Sequence, residues 1–353
     1  MDQATYVEGF HHPEAVRKMS YHPLGNTGLQ VSRVALGGGP FGGLYGTVLE
    51  QEGVATVHHA LKSGINYIDT APWYGNGRSE ELLGKALKDV PRGAYYIGTK
   101  VGRYEPHIDR MFDFSAERVE KSVDKSLKLL GLDYVDVIQV HDLEFAENID
   151  IVLTQTLPAL QRVVQQGKAR YIGITGYPVH LLKEVIEKSS VMIDVVLSYT
   201  RNTLIDDTLS EFMPFFKSRG VGVINACAVG MGLLCDGELV DWHPAPQDMR
   251  EACRQALQHC KAMGVDLARL AVQHSLKLEG VATHLMGNNN ITILQRNLDS
   301  VLTPPTPLED KLSQEVRQRF FDPLPRKHWE EEDSKMYWRK LRKQTEQYAK
   351  NMK

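Results

Sequence analysis

The sequence predicts an α/β fold, a (β/α)8 TIM barrel preceded by a β-hairpin and followed by a helical tail. Three observations carry this. Short apolar runs alternate with stretches of helical spacing eight times between residues 33 and 302. Runs such as YVDVIQV (134–140) and GVGVINA (220–226) are almost continuously apolar, as strands of a parallel sheet covered by helices must be. The turn after the first of these strands, GGGPFGGLYG (37–46), lacks the G-x-G-x-x-G spacing, leading at once into a helix, that an open doubly wound sheet carries there. Closure into a barrel is therefore favoured over an open sheet.

Residues 1–18 show no periodicity and read as an N-terminal arm. Tyr21 to Leu24 and Leu29 to Val31 flank the turn signal Gly25-Asn26-Thr27-Gly28, which predicts a hairpin. RVALGG (33–38) is the first barrel strand, and Val54, Val57, His58 and Leu61 give helical spacing until Gly64 stops it. The alternation continues with strands at 65–69, 95–100, 134–141, 169–174, 194–199, 221–227 and 283–287. Their helices lie at 79–88, 115–130, 149–166, 179–188, 207–219, 264–278 and 291–302. The barrel domain spans 19–325. A segment from Val229 to about Gln247, with Pro244 and Pro246, interrupts the repeat after the seventh strand, on the face where barrel loops build active sites, and suits a lid. A short helix follows from about Leu308, and residues 326–353 form a charge-dense helical tail. Trp329, Trp338, Leu341 and Tyr348 do not share one helical face, so a solvated helix with an aromatic anchor or two is expected, with a partner-binding helix as the alternative.

A chain of 353 residues with 42% hydrophobic residues buries a large core, and a net charge of -3 with interspersed signs offers no basic face for nucleic acid. A neutral small molecule fits better as the partner. Cys227, Cys235, Cys253 and Cys260 lack CxxC spacing and clustered histidines, so neither a disulfide scaffold nor a metal site is expected. The N-terminal stretch has no signal-peptide pattern and no run of roughly 18 apolar residues occurs, which points to a cytoplasmic protein without a membrane partner.

The chemistry gathers in NYIDTAPWYGNGRSEELLGKALKDVPRGAYYIGTK (66–100). Parallel barrel strands all end at one rim, so Asp69, Lys100 and His141, at the ends of the second, third and fourth strands, converge there, with Tyr74 on the loop above. Singly, such residues cap helices, meet solvent or satisfy hydrogen bonds. Together on consecutive units they suit catalysis. A tyrosine is a weak acid, with an ordinary pKa of about 10, and an adjacent ammonium such as Lys100 is expected to lower that value. Asp69 would keep Lys100 charged, and neutral His141 would donate a hydrogen bond to a substrate oxygen. The set lacks a nucleophile, a metal cluster and an electron carrier of its own. It therefore suits carbonyl reduction or alcohol oxidation with the hydride exchanged by a nicotinamide cofactor. Two alternatives remain open: a nicotinamide-binding sensor or scaffold that recruits a partner through its tail, and a Schiff-base aldolase using Lys100, which Asp69 disfavours by keeping the amine protonated.

The string DTAPWYGNGRSEELLGKAL (69–87) resembles the signature of the aldo-keto reductase family, and the resemblance extends from about Tyr21 to Leu302. Within the family the chain is most similar to L-galactose dehydrogenase-like members, through PLGNTGLQVS (23–32), KVGRY (100–104), FDFSAERV (112–119), DYVDVIQVHD (133–142) and WHPA (242–245). The resemblance implies a tetrad of Asp69, Tyr74, Lys100 and His141, with Tyr74 as general acid/base, and NAD(P)(H) as cofactor. The family's Ser-Asn, which holds the nicotinamide amide, falls on Thr175-Gly176; Ser198 stands where many members place glutamine, and Ala226 near where many place a stacking aromatic. GNNNITILQRN (287–297) matches the region gripping the adenosine end, with Gly287, Asn288, Asn289, Arg296 and Asn297 as binding candidates. The cationic positions that bind a 2′-phosphate fall on Gly287 and Ile293, which slightly favours NAD, while Arg296 keeps NADP open. Phe41, Tyr45, Trp73, Arg103 and Tyr104 are substrate-binding candidates at the rim. The implied reaction is oxidation of an aldose such as L-galactose at C1 to the lactone, or reduction of a small aldehyde or ketone, by a monomer or weak homodimer.

Overall fold

The computed structural model describes residues 3–351, without the side chains of 330–333 and 345–351. Strands β1 (Tyr21–Pro23) and β2 (Gln30–Ser32) pair antiparallel as the expected hairpin. Eight parallel strands follow: β3 (Val34–Gly37), β4 (Tyr67–Asp69), β5 (Tyr96–Val101), β6 (Val135–Val140), β7 (Ala169–Gly176), β8 (Val195–Tyr199), β9 (Gly222–Ala226) and β10 (Val281–Gly287). They close in the order β10-β3-β4-β5-β6-β7-β8-β9. This is the (β/α)8 barrel that the alternation predicts.

Helix α1 (Pro13–Lys18) precedes the hairpin. The outer ring holds α2 (Glu50–Lys62), α3 (Arg78–Leu87) and α4 (Ala116–Leu130), then α5 (Ile149–Ile151), which runs through a π-helical turn at Val152–Thr156 into α6 (Leu157–Gln165). The wide turn sits just before Pro158, whose ring removes an N–H and crowds the carbonyl four residues back. Next come α7 (Val179–Lys188), α8 (Leu209–Ser218), α9 (Gln247–Ala262), α10 (Leu267–Leu276) and α11 (Ile291–Leu302). Helix α12 (Pro307–Val316), opened by a Thr306/Glu309 capping box, and α13 (Glu330–Asn351) complete the chain. Helix α9 goes beyond the eight expected. Its buried stripe of Met249, Cys253, Ala256 and Cys260 has helical spacing but is built from small and soft side chains, a weak apolar signal.

Inside the barrel, Ala35, Tyr67, Val137, Val195, Leu197, Ile224 and Ala282 form one packed cluster with Leu24, Leu29 and Val31 of the hairpin. The hairpin thus plugs the N-terminal end of the barrel: Leu24 is fully buried, Asn26 N–H donates to Gly220 O at 2.9 Å, and the Tyr171 hydroxyl bonds Thr27 O. The arm docks on the same end, where Asn66 Nδ2 donates to Thr5 Oγ1 at 3.0 Å and His11 is buried. With this end sealed, the mouth lies at the C-terminal ends of the strands. Among the described residues no helix is long and apolar enough to cross a membrane.

Candidate active site

Asp69 is the last residue of β4 and Lys100 the penultimate residue of β5, and both side chains are almost completely buried at the barrel mouth. Lys100 Nζ makes a short ion pair with Asp69 Oδ1, donates to Thr70 O at 2.9 Å, and reaches Tyr74 Oη at 3.3 Å. An ammonium has three N–H groups, and all three are used. Since Lys100 only donates, Tyr74 Oη accepts, and its own proton is left to point away. Gln139 Nε2 donates to the other Asp69 oxygen at 2.7 Å. That reach depends on Gly173 on β7, where a Cβ would lie 2.8 Å from the Gln139 side chain. Gln139 has no place in the sequence expectations; its only signal is an amide in a strand that is apolar but for it and Asp136.

Tyr74 is fixed by contact between the β3 and β4 loops. A Cβ at Gly42 would come within 2.4 Å of the Tyr74 carbonyl carbon, so only glycine allows this approach. Burial raises the Tyr74 pKa; Lys100 pulls it down, and Asp69 and Asp142 push it up, leaving it above its ordinary value of 10.0. Lys100 lowers the value as expected, but burial outweighs it, so the net shift is upward and Tyr74 stays a phenol. Burial works against the Lys100 charge, but Asp69 and Tyr74 outweigh it and the pKa rises.

His141 follows β6 and faces Tyr74 edge-on, with ring centroids 5.8 Å apart and planes at 90°. Burial, with Lys100 and Arg103 adding to it against the pull of Asp142, lowers its pKa to about 3. The imidazole is neutral and offers one N–H. Asp142 Oδ2 lies 3.6 Å from His141 Nε2, too far for a hydrogen bond, and instead accepts from Arg103 Nη1 at 2.6 Å. Asp142 sits in the left-handed region at φ 48, which turns its carboxylate to the mouth.

The substrate candidates divide. Tyr45 stands at the rim with its ring 5.8 Å from that of Trp242, and Trp73 lies beside Tyr74. Arg103 stacks on Trp73 at 3.7 Å and is held by Asp142, so it clamps two loops together. Two expectations are corrected. Phe41 is fully buried in the main core, and Tyr104 is buried against α4 beneath the Arg118 guanidinium at 4.4 Å, so neither walls the mouth. A loop aromatic and a core aromatic look alike in sequence.

The segment after β9 is pinned by His243 Nε2 on Gly230 O at 2.9 Å and by a perpendicular contact of His243 with buried Trp329, 5.1 Å away. From there the tail reaches the loops after β5 and β6. Tyr337 packs edge-on against Phe112 and Phe145 and donates to Ile108 O at 3.1 Å. The two anchors are Trp329 and Tyr337; the Tyr348 side chain lies outside those described.

At the β7 to β10 side of the mouth, Thr175 and Ser198 are buried, and Gly176 pairs in register with Ser198. Asn297 Nδ2 donates to Asn288 Oδ1 at 2.7 Å, while Gly287 is exposed. Ser198 Oγ and Asn289 Oδ1 are buried with hydrogen-bonding capacity unused. Between the α10 and α11 N-terminal turns lies an open cleft of about 520 Å³ lined by Asp266, Arg269, Ile291, Thr292, Gln295 and Arg296. Barrel enzymes commonly bind phosphate by loops after the seventh and eighth strands, so these residues fit a dinucleotide. Arg296 is already engaged by Asp266 at 2.5 Å.

Because the unfolded chain protonates His141 near its ordinary value of 6.5 and the folded protein does so only near 3, folding stability must fall as pH drops from 6.5 toward 3. His141→Gln is expected to flatten this loss by up to about 1.4 kcal/mol per pH unit between about pH 6 and 4. Urea denaturation at a series of pH values measures it.

Comparisons with known proteins identify the family. The sequence profile of the Aldo/keto reductase family matches residues 33–312. The chain is 44% identical over 287 residues to an L-galactose dehydrogenase of Arabidopsis thaliana, covering 80% of this chain and 88% of the relative. It is 32% identical over 257 residues to a D-arabinose 1-dehydrogenase of Saccharomyces cerevisiae, covering 69% and 75%. The holo form of aldo-keto reductase AKR11C1 from Bacillus halodurans superposes with a TM-score of 0.69 at 28% identity, over 84% of this chain and 96% of that one. The chain belongs to the aldo/keto reductase family of oxidoreductases.

Proposed function

We propose that this enzyme is an aldose dehydrogenase that oxidises a sugar such as L-galactose at C1 to the lactone, with NAD preferred over NADP. The observation that carries the chemistry is the Lys100–Tyr74 contact, which consumes a Tyr74 lone pair and leaves its proton for the mouth. When bound, the dinucleotide supplies or accepts the hydride. The chain's own residues handle the proton. The neutral His141 N–H holds the reacting oxygen and polarises its bond to carbon. In reduction Tyr74 passes its proton to that oxygen, and Lys100 stabilises the phenolate left behind. In oxidation the order reverses: Tyr74 first gives its proton to solvent, with Lys100 stabilising the phenolate, and that phenolate then takes the hydroxyl proton. Asp69, held by Gln139, keeps Lys100 charged through both directions. The sugar assignment is supported by the relatives named for L-galactose and D-arabinose and by the aromatic pair Tyr45 and Trp242 at the rim.

Support for NAD comes from the α10–α11 cleft. Exposed Gly287 and Ile293 carry no charge, and Asp266 both occupies Arg296 and places a carboxylate where a 2′-phosphate would be repelled.

Two outcomes follow. Tyr74→Phe removes the proton and should lower turnover by about 10²–10⁴-fold in an absorbance assay at 340 nm, with the thermal midpoint unchanged; unchanged turnover contradicts the mechanism. Asp266→Ala frees Arg296 and should bring NADPH affinity up toward that of NADH by roughly tenfold, read by fluorescence titration. A wild type that prefers NADPH would overturn the cofactor assignment.

A further inference from the structure

We propose that Glu144 reads the carboxamide of the nicotinamide ring, as a positioning residue that replaces the absent side chain at Gly176. The inference rests on the nicotinamide reading above.

Glu144 lies three residues after His141, in the turn Leu143–Phe145 that follows β6. Its side chain crosses to the end of β7. Oε1 accepts the backbone N–H of Tyr177 at 3.0 Å, and a Cβ built on Gly176 would lie 2.5 Å from Oε2. The carboxyl therefore fills the space that a side chain at 176 would take. Oε2 is buried without a hydrogen-bond partner, and Ser198 Oγ, on the strand that pairs with Gly176, is in the same condition. A buried polar atom of this kind lacks free energy that a ligand can restore.

Placement identifies the ligand chemistry. The proton-transfer groups occupy the ends of β4, β5 and β6, and the cleft suited to the adenosine end lies between α10 and α11. A dinucleotide with its adenosine end in that cleft and its reactive ring within reach of His141 would set that ring next to Glu144, three residues further on, and to Gly176 on the adjacent strand. Burial and the negative charge of Asp142 push the Glu144 carboxyl up to about 8, so near neutral pH it holds a proton. A carboxylic acid offers one O–H and one carbonyl oxygen in a plane, the same donor and acceptor pair that an asparagine amide presents. That pair complements a primary carboxamide: the acid O–H donates to the amide oxygen, and an amide N–H donates to the second lone pair of the acid carbonyl. The charged groups that act on Glu144 are Asp142 on its own loop and Arg103 after β5, with the Tyr177 backbone N–H at the end of β7. None but Glu144 both lacks a partner at Oε2 and touches the Gly176 space.

The test is a fluorescence titration of the full-length protein with NADH and with its 3-acetylpyridine analogue, in which a methyl group replaces the amide nitrogen. Wild type should prefer NADH by about fivefold or more, Glu144→Gln should keep that preference, and Glu144→Ala should reduce it to within about twofold. Between pH 7 and 9.5 wild-type affinity for NADH should fall as Glu144 ionises against the amide oxygen, and Glu144→Gln should not show the fall. An alanine variant with the wild-type preference overturns the proposal. If that variant fails to fold, a glutamine variant with the same alkaline fall as wild type overturns it instead. A wild type that binds neither NADH nor NADPH would instead refute the nicotinamide reading on which the proposal stands.

Discussion

The buried ion pair between Asp69 and Lys100 is the constraint on which the rest of the site depends. Two charges removed from water need partners on both sides, and here Lys100 donates all three N–H groups, to Asp69, Thr70 and Tyr74, while each Asp69 oxygen accepts one bond, from Lys100 or Gln139. Breaking such a pair by removing one partner costs about 3–5 kcal/mol, so the geometry is held firmly. One result is the direction of the Tyr74 proton. Burial of Tyr74, joined by Asp69 and Asp142, outweighs the pull of the ammonium, so Tyr74 is not a phenolate in advance of reaction.

The barrel makes this arrangement possible because adjacent parallel strands deliver their ends to one rim in register. Asp69 and Lys100 come from neighbouring strands, and Gln139 sits beside Lys100 on the next. The sealing of the opposite end by the hairpin leaves one mouth, and the aromatic anchors of the tail pack on the loops after β5, β6 and β9. Arg103, stacked on Trp73 and paired with Asp142, ties the loops around the catalytic groups to one another. Neutral His141 completes the wall opposite Tyr74.

The alternation of apolar runs with helical spacing was enough to read the barrel, and strand-end position was enough to gather Asp69, Tyr74, Lys100 and His141. What lay outside the reach of sequence had physical causes. Gln139 and Glu144 act across strands, through space opened by Gly173 and Gly176, and one-dimensional order does not reveal such a crossing. Phe41 and Tyr104 share composition and loop position with Tyr45 and Trp73, yet point into the core because of the turns that carry them. The direction of the Tyr74 shift depends on the balance of burial and two carboxylates against one ammonium, which only distances decide. Tyr337 was hidden in a charge-dense tail, where its inward contacts with Phe112 and Phe145 depend on where the chain crosses the mouth.

The central claim is that Tyr74, buried at the barrel mouth and held by Lys100, stands in the ligand-free protein as a protonated acid rather than a preformed base. It is tested most directly by titrating the tyrosine ring carbons of the ligand-free protein by NMR, with Tyr74 assigned by its loss in Tyr74→Phe. The account predicts a Tyr74 pKa above the ordinary value of 10.0; a value below it would contradict the account.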